Sequence, residues 1–93
     1  MAIRKRHIKV AEMIKSLGHP DRIKILEDIA SKSEGVNVSA IQRSLKIGQS
    51  AVSQHLLKLR NCKIIEAKRQ GVEIYYSIKD PQIKKVIQFI LNF

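Results

Sequence analysis

The sequence predicts a mainly α-helical domain closed by a β-hairpin, in the order ααααββα. Three observations carry that prediction. Apolar residues recur at helical spacing through five segments, a period of two replaces it over Val72–Ile78, and each change falls at a Gly, a Pro or a polar turn. The 93 residues fit one small domain spanning 1–93, with 44% hydrophobic and 28% charged residues and no Gly/Ser/Pro-rich linker to divide it.

From about Ala2 to Leu17, Ile3, Ile8, Val10, Ala11, Met13, Ile14 and Leu17 have roughly helical spacing, and Gly18 supplies a stop. His19-Pro20-Asp21 restarts the chain with Pro in the first turn and an acid near the positive helix end. Ile23, Ile25, Leu26 and Ile29 then give the second helix its apolar face, to about Ser31. After the polar turn Lys32–Gly35, Asn37 can cap a short third helix that buries Val38, Ile41 and Leu45. Lys46-Ile47-Gly48 is a tight turn, and a fourth helix from Gln49 to about Asn61 places Val52, Leu56 and Leu59 at i, i+4 and i+7. Two short helices joined by a brief Gly-containing turn make a helix-turn-helix.

The period then changes. Ile64–Lys68 and Val72–Ile78 are rich in β-branched and aromatic residues, and Val72, Ile74, Tyr76 and Ile78 alternate with Glu73, Tyr75 and Ser77. Arg69-Gln70-Gly71 between them carries a turn glycine, which puts Lys68 and Arg69 at an exposed hairpin tip. A basic β-hairpin after a helix-turn-helix is a wing, so the fold class is a winged helix-turn-helix. Asp80-Pro81 reads as a cap followed by Pro at the first helical position. Ile83, Val86, Ile87, Ile90 and Leu91 then make the last helix strongly apolar.

Lys and Arg number 18 against 8 Asp and Glu, a formal net charge of +10. Duplex DNA rewards each phosphate neutralised by such a chain with counterion release. Aromatics are 4% and Trp is absent, so a base-stacking platform for RNA or single strands is poorly supplied. The apolar runs are too short to span a bilayer, and Met1–Val10 lacks a signal-peptide core. The single cysteine, Cys62, cannot form an intrachain disulfide, which suits a reducing cytoplasm.

The fourth helix leaves Gln49, Ser50, Ser53, Gln54 and Lys58 off its apolar side, the first four in the half that a helix-turn-helix inserts into the major groove. Gln can pair bidentately with adenine, and Ser can donate or accept at base edges or phosphate. His55 lies beside this surface, and three placements fit it: on DNA, against the third helix, or in solvent. Lys68 and Arg69 of the wing suit phosphate or the minor groove. The first and last helices carry more apolar surface than so small a chain can hide. Ile8, Ala11, Ile14, Ile83, Val86, Ile87 and Ile90 are therefore read as the interface of a two-fold homodimer. An intramolecular pairing of the two helices is the alternative.

Three stretches together resemble the ArsR/SmtB family of winged-helix transcriptional repressors, closest to its zinc-sensor-like branch. They are Leu17-Gly18-His19-Pro20-Asp21-Arg22-Ile23-Lys24-Ile25-Leu26, Gln49-Ser50-Ala51-Val52-Ser53-Gln54-His55-Leu56, and Ala67-Lys68-Arg69-Gln70-Gly71 followed by Tyr75-Tyr76-Ser77-Ile78. The resemblance implies a dimer built on the first and last helices, an inverted-repeat operator, and repression released by a metal ion or another inducer. Carried over by position, the DNA-reading residues fall on Gln49, Ser50, Ser53 and Gln54, with Lys68 and Arg69 in the wing.

The family's sensing residues carry over badly. Soft-metal sensors place cysteines at the start of the third helix, where this chain reads Val36–Ile41 without a thiol. The zinc-sensor pattern keeps only Asp80, with Gln82 in the His position, and one carboxylate does not make a tetrahedral site. Asp80 is better read as the cap before Pro81. His7 and His19 are isolated in sequence and read as solvated or capping, and Cys62 as an inert thiol. The sequence thus implies neither a metal site nor a cofactor and leaves any inducer unknown. It offers no catalytic pairing either. Two other readings fit the composition: a sequence-tolerant nucleoid-type or RNA-binding basic protein, and a module whose apolar last helix docks another protein.

Overall fold

A computed structural model of the protein describes residues 2–93. Helix α1 (Lys5–Leu17) leads into α2 (Pro20–Ala30), a two-residue strand β1 (Val36–Asn37), α3 (Val38–Leu45), α4 (Gln49–Asn61), the hairpin β2 (Glu66–Gln70) and β3 (Glu73–Ser77), and α5 (Pro81–Leu91). The five helices and the hairpin are those the sequence predicts.

The core forms where α2, α3 and α4 meet: Ile25, Leu26, Ile29, Ile41, Val52, Leu56 and Leu59 are all buried. Ile64, Ile65 and Ile78 extend it under the root of the hairpin, and Ile87 brings α5 onto α2. Helix α1 rests on α4 and α2. It begins three residues later than the periodicity suggests. Arg4 is extended, and its N–H donates to His7 Nδ1 at 2.9 Å. The first turn holds Lys5 and Arg6 with no acid, and positive charge at the positive end of the helix dipole opposes an earlier start. Elsewhere the caps follow the sequence: Asn37 Oδ1 accepts from Ala40 N–H at 2.9 Å, and Asp80 Oδ1 from Gln82 N–H at 2.9 Å.

The sheet differs from expectation in two ways. Strand β1 is an addition. It pairs antiparallel with β3 through Val36↔Tyr76 and Asn37↔Tyr75, giving the order β1-β3-β2. Gly35 makes this approach possible, because its φ of +96° and a gap of only 2.9 Å from a would-be Cβ to the Tyr76 carbonyl oxygen exclude a side chain. Second, the hairpin turn is Gly71-Val72, since Gln70 pairs with Glu73 and Gly71 has φ +63°. Lys68 and Arg69 are therefore within β2, opposite Tyr75 and Ile74, and not at the tip. Val72 occupies the tip instead, 94% exposed, Ile74 is exposed as well, and burial along β3 starts only at Tyr75 and Tyr76.

Candidate nucleic-acid interface

Helices α3 and α4 are joined by three residues. Lys46 closes α3 in the left-handed conformation (φ 57°, ψ 41°), and Gly48 opens α4 with its own backbone carbonyl accepting from Val52 N–H. Gly48 brings no side-chain cap to the first N–H groups of α4, and uncapped N–H groups at a helix start favour phosphate oxygen.

Along α4 the buried stripe is Val52, Leu56 and Leu59, and it fixes the helix against the core. Gln49, Ser50, Ser53, Gln54 and Lys58 are all exposed, as the sequence implies. Ser50, Ser53, Gln54 and Leu57 are related by three- and four-residue steps and so form one outward row. Leu57 is exposed within it, a residue that apolarity alone assigns to the core. Arg43, on the last turn of α3, and Lys46 in the turn are exposed as well. Both flank the start of α4, where the first helix of such a motif crosses the DNA backbone. Their signal in the sequence was their charge at the turn.

His55 stands apart from this row. It is half-buried against the start of α2, with Nε2 3.4 Å from Asp21 Oδ2 and its ring 4.7 Å from that of His19. One residue on from Gln54, His55 is turned to the start of α2 and does not share the exposure of the row with which the sequence groups it. His19 itself caps α2, its Nδ1 accepting from Asp21 N–H at 3.1 Å.

In the wing, Lys68 and Arg69 are exposed. As adjacent strand residues they leave opposite faces of the hairpin. Besides the β1–β3 pairing, a side chain ties the wing to the helix-turn-helix. Asn37, while capping α3, also donates from Nδ2 to Glu73 Oε2 at 3.0 Å, across 36 residues of sequence. On α2, Lys24 Nζ lies 3.1 Å from Asp28 Oδ1 and 3.2 Å from Glu27 Oε1. Hydrogen bonding to Asp28 first, then to Glu27, raises its pKa. The Lys24 and Glu27 side chains are exposed, and such a surface pair adds little to stability.

The expected interface residues divide. Ile8, Ala11, Ile14 and Val86 are exposed, Ile14 at 63%, while Ile83 and Ile90 are half-buried. Ile87 is only 4% exposed and belongs to the chain's own core, because it is the residue that seats α5 on α2. Phe89 and Phe93, exposed and stacked edge to face at 5.8 Å, extend the free apolar side of α5. Cys62 is half-buried beneath α1, its Sγ 3.8 Å from the Glu12 carbonyl oxygen.

A two-helix motif whose second helix turns a polar row outward, followed by a β-hairpin that carries the exposed Lys68 and Arg69, defines a winged helix-turn-helix regulator of transcription. The chain belongs to the arsR family of bacterial regulatory proteins, whose model matches residues 19–67. It is 44% identical to the transcriptional repressor PagR of Bacillus anthracis over 80 residues, 86% of this chain and 79% of that protein. It is 32% identical to the regulator YgaV of Escherichia coli over 84 residues, 90% and 84% of the two chains. The crystal structure of PagR superposes with a TM-score of 0.79 at 41% identity, over 89% of this chain and 93% of that one. The fold is also that of the homodimeric winged helix-turn-helix domain of Mb0332 from Mycobacterium bovis, with a TM-score of 0.86 at 24% identity over 99% and 85% of the chains.

Proposed function

We propose that the chain is a homodimeric repressor that occupies an inverted-repeat operator, reading bases with Gln49, Ser50, Ser53 and Gln54 and holding phosphate with Lys58, Lys68 and Arg69. The observation that carries this reading is the exposed polar row on the N-terminal half of α4, set on a scaffold 44% identical to a named repressor. Side chains of this type at this end of the second helix suit the donor and acceptor pattern of the major groove.

Surface area supports the dimer. The chain exposes 6843 Å² at 10.6 kDa, where a monomeric protein of that mass exposes about 5,500 Å². The excess is larger than the roughly 800 Å² that each partner buries in a standard interface. Ile8, Ile14, Val86 and Phe89 are among the large apolar side chains left exposed.

The test is fluorescence anisotropy on a duplex from the protein's own promoter and on a scrambled duplex of equal length, across salt. A preference of about a thousandfold or more supports the operator reading. Equal binding to both, repeated after a random-sequence selection finds no preferred site, replaces it with the charge-driven, sequence-tolerant alternative.

A further inference from the structure

Three metal-binding side chains that are remote in sequence meet where α4 crosses the start of α2. His19, Asp21 and His55 each bring a ligand atom to within 4.8 Å of the other two, and all three are half-buried. A tetrahedral ion bonded at about 2.0–2.2 Å to imidazole nitrogen and carboxylate oxygen holds its ligand atoms roughly 3.3–3.5 Å apart. His55 Nε2 and Asp21 Oδ2 already stand at that edge, 3.4 Å apart. The remaining ligand atom has to close by at most about 1.4 Å, within the reach of imidazole torsions.

We propose that His19, Asp21 and His55 bind one divalent transition-metal ion, with Zn²⁺ the ion that the donor set suits best. Two imidazoles and one carboxylate are borderline N/O donors that favour zinc and its neighbours over magnesium or calcium. Three protein ligands leave the fourth position to water. Long-range electrostatics do not assist: the chain carries +10, and the start of α2 is the positive end of its dipole. Affinity therefore comes from direct coordination, with the Asp21 carboxylate as the one local negative charge among the ligands.

The ion has one visible competitor: bound through His19 Nδ1, it contends with Asp21 N–H for that lone pair. Occupancy exchanges the cap of α2 for a bond to α4. Because His55 adjoins Gln54, the ion fastens the reading helix to α2. That consequence rests on the DNA reading above, whereas binding itself is measured without DNA.

The untagged chain is titrated with Co²⁺, followed by its visible d–d absorption, and the bound Co²⁺ is then displaced by Zn²⁺. One ion per chain with a tetrahedral spectrum is expected. His19→Ser, which keeps a capping oxygen, Asp21→Asn and His55→Gln should each weaken binding by at least about tenfold, with an unchanged circular dichroism spectrum in the absence of metal. His7→Gln should bind like the parent. An independent readout uses the parent alone: Zn²⁺ should shift the ring ¹H–¹⁵N signals of His19 and His55 and leave those of His7 in place. No spectral change up to millimolar Co²⁺, unshifted His19 and His55 rings, or binding that survives in all three variants overturns the site.

Discussion

Asn37 shows what a residue can and cannot disclose in sequence. Its role as the cap of α3 was legible, because a short polar side chain before Val38 meets an N–H only three residues on. Its bond to Glu73 spans 36 residues and was not. Replacing Asn37 with Ala should cost about 1–2 kcal/mol in chemical denaturation, while Asn37→Ser, which keeps a capping oxygen, should recover most of it. Equal losses in the two variants would shift the weight from the cap to the Glu73 bond. His55 was opaque for the same reason. Its place on the helical wheel borders the polar row, and only the fold puts Asp21 and His19 beside it. Gln54 is the contrasting case, legible and exposed. Gln54→Ala should lose about 1–3 kcal/mol on the operator and almost nothing on scrambled DNA, compared by anisotropy at one salt concentration. A uniform loss on both duplexes would make Gln54 a backbone contact.

Among the elements, the helices were legible and the sheet only in outline. Each helix carries a run of apolar residues long enough to set its phase, whereas β1 has two residues and exists because Gly35 lets the chain lie against Tyr76. The hairpin turn slipped by two positions because Val72, apolar and β-branched, looks like a strand residue and stands at the tip. That slip changes what the wing can do. With Lys68 and Arg69 on opposite faces of β2, the two cations cannot share one phosphate. Their contributions should add: each alanine variant flattens the slope of log K against log salt by about 0.9, and the double variant by about twice that. A double variant no flatter than a single one would mean that only one face of the hairpin meets DNA. An unchanged slope would remove the wing from the interface.

For the whole molecule, shape and surface argue together. The described chain extends 48 × 28 × 25 Å with a radius of gyration of 13.6 Å, against about 12.3 Å for a compact domain of this length. An elongated chain with twelve buried apolar side chains has a thin core. Its exposed Ile8, Ile14, Val86 and Phe89 would add apolar burial if a second copy covered them. Two consequences separate this dimer from a monomer that merely tolerates exposed side chains. The thermal midpoint of a dimer rises with protein concentration, because mass action stabilises the associated state, whereas that of a monomer does not. Phe89→Asp should then sediment at the 10.6 kDa of one chain. Since Phe89 is 69% exposed in the single chain, the substitution removes little from the chain's own core, so the protomer should still fold. On DNA, losing the partner turns a two-site attachment into a one-site attachment. Affinity for the full inverted repeat should fall by about 10²–10⁴-fold, while affinity for an isolated half-site stays level. If Phe89→Asp still sediments as a pair, α5 is not the contact. If the parent sediments as one chain at micromolar concentration with a concentration-independent midpoint, the two-fold reading of the operator fails with it.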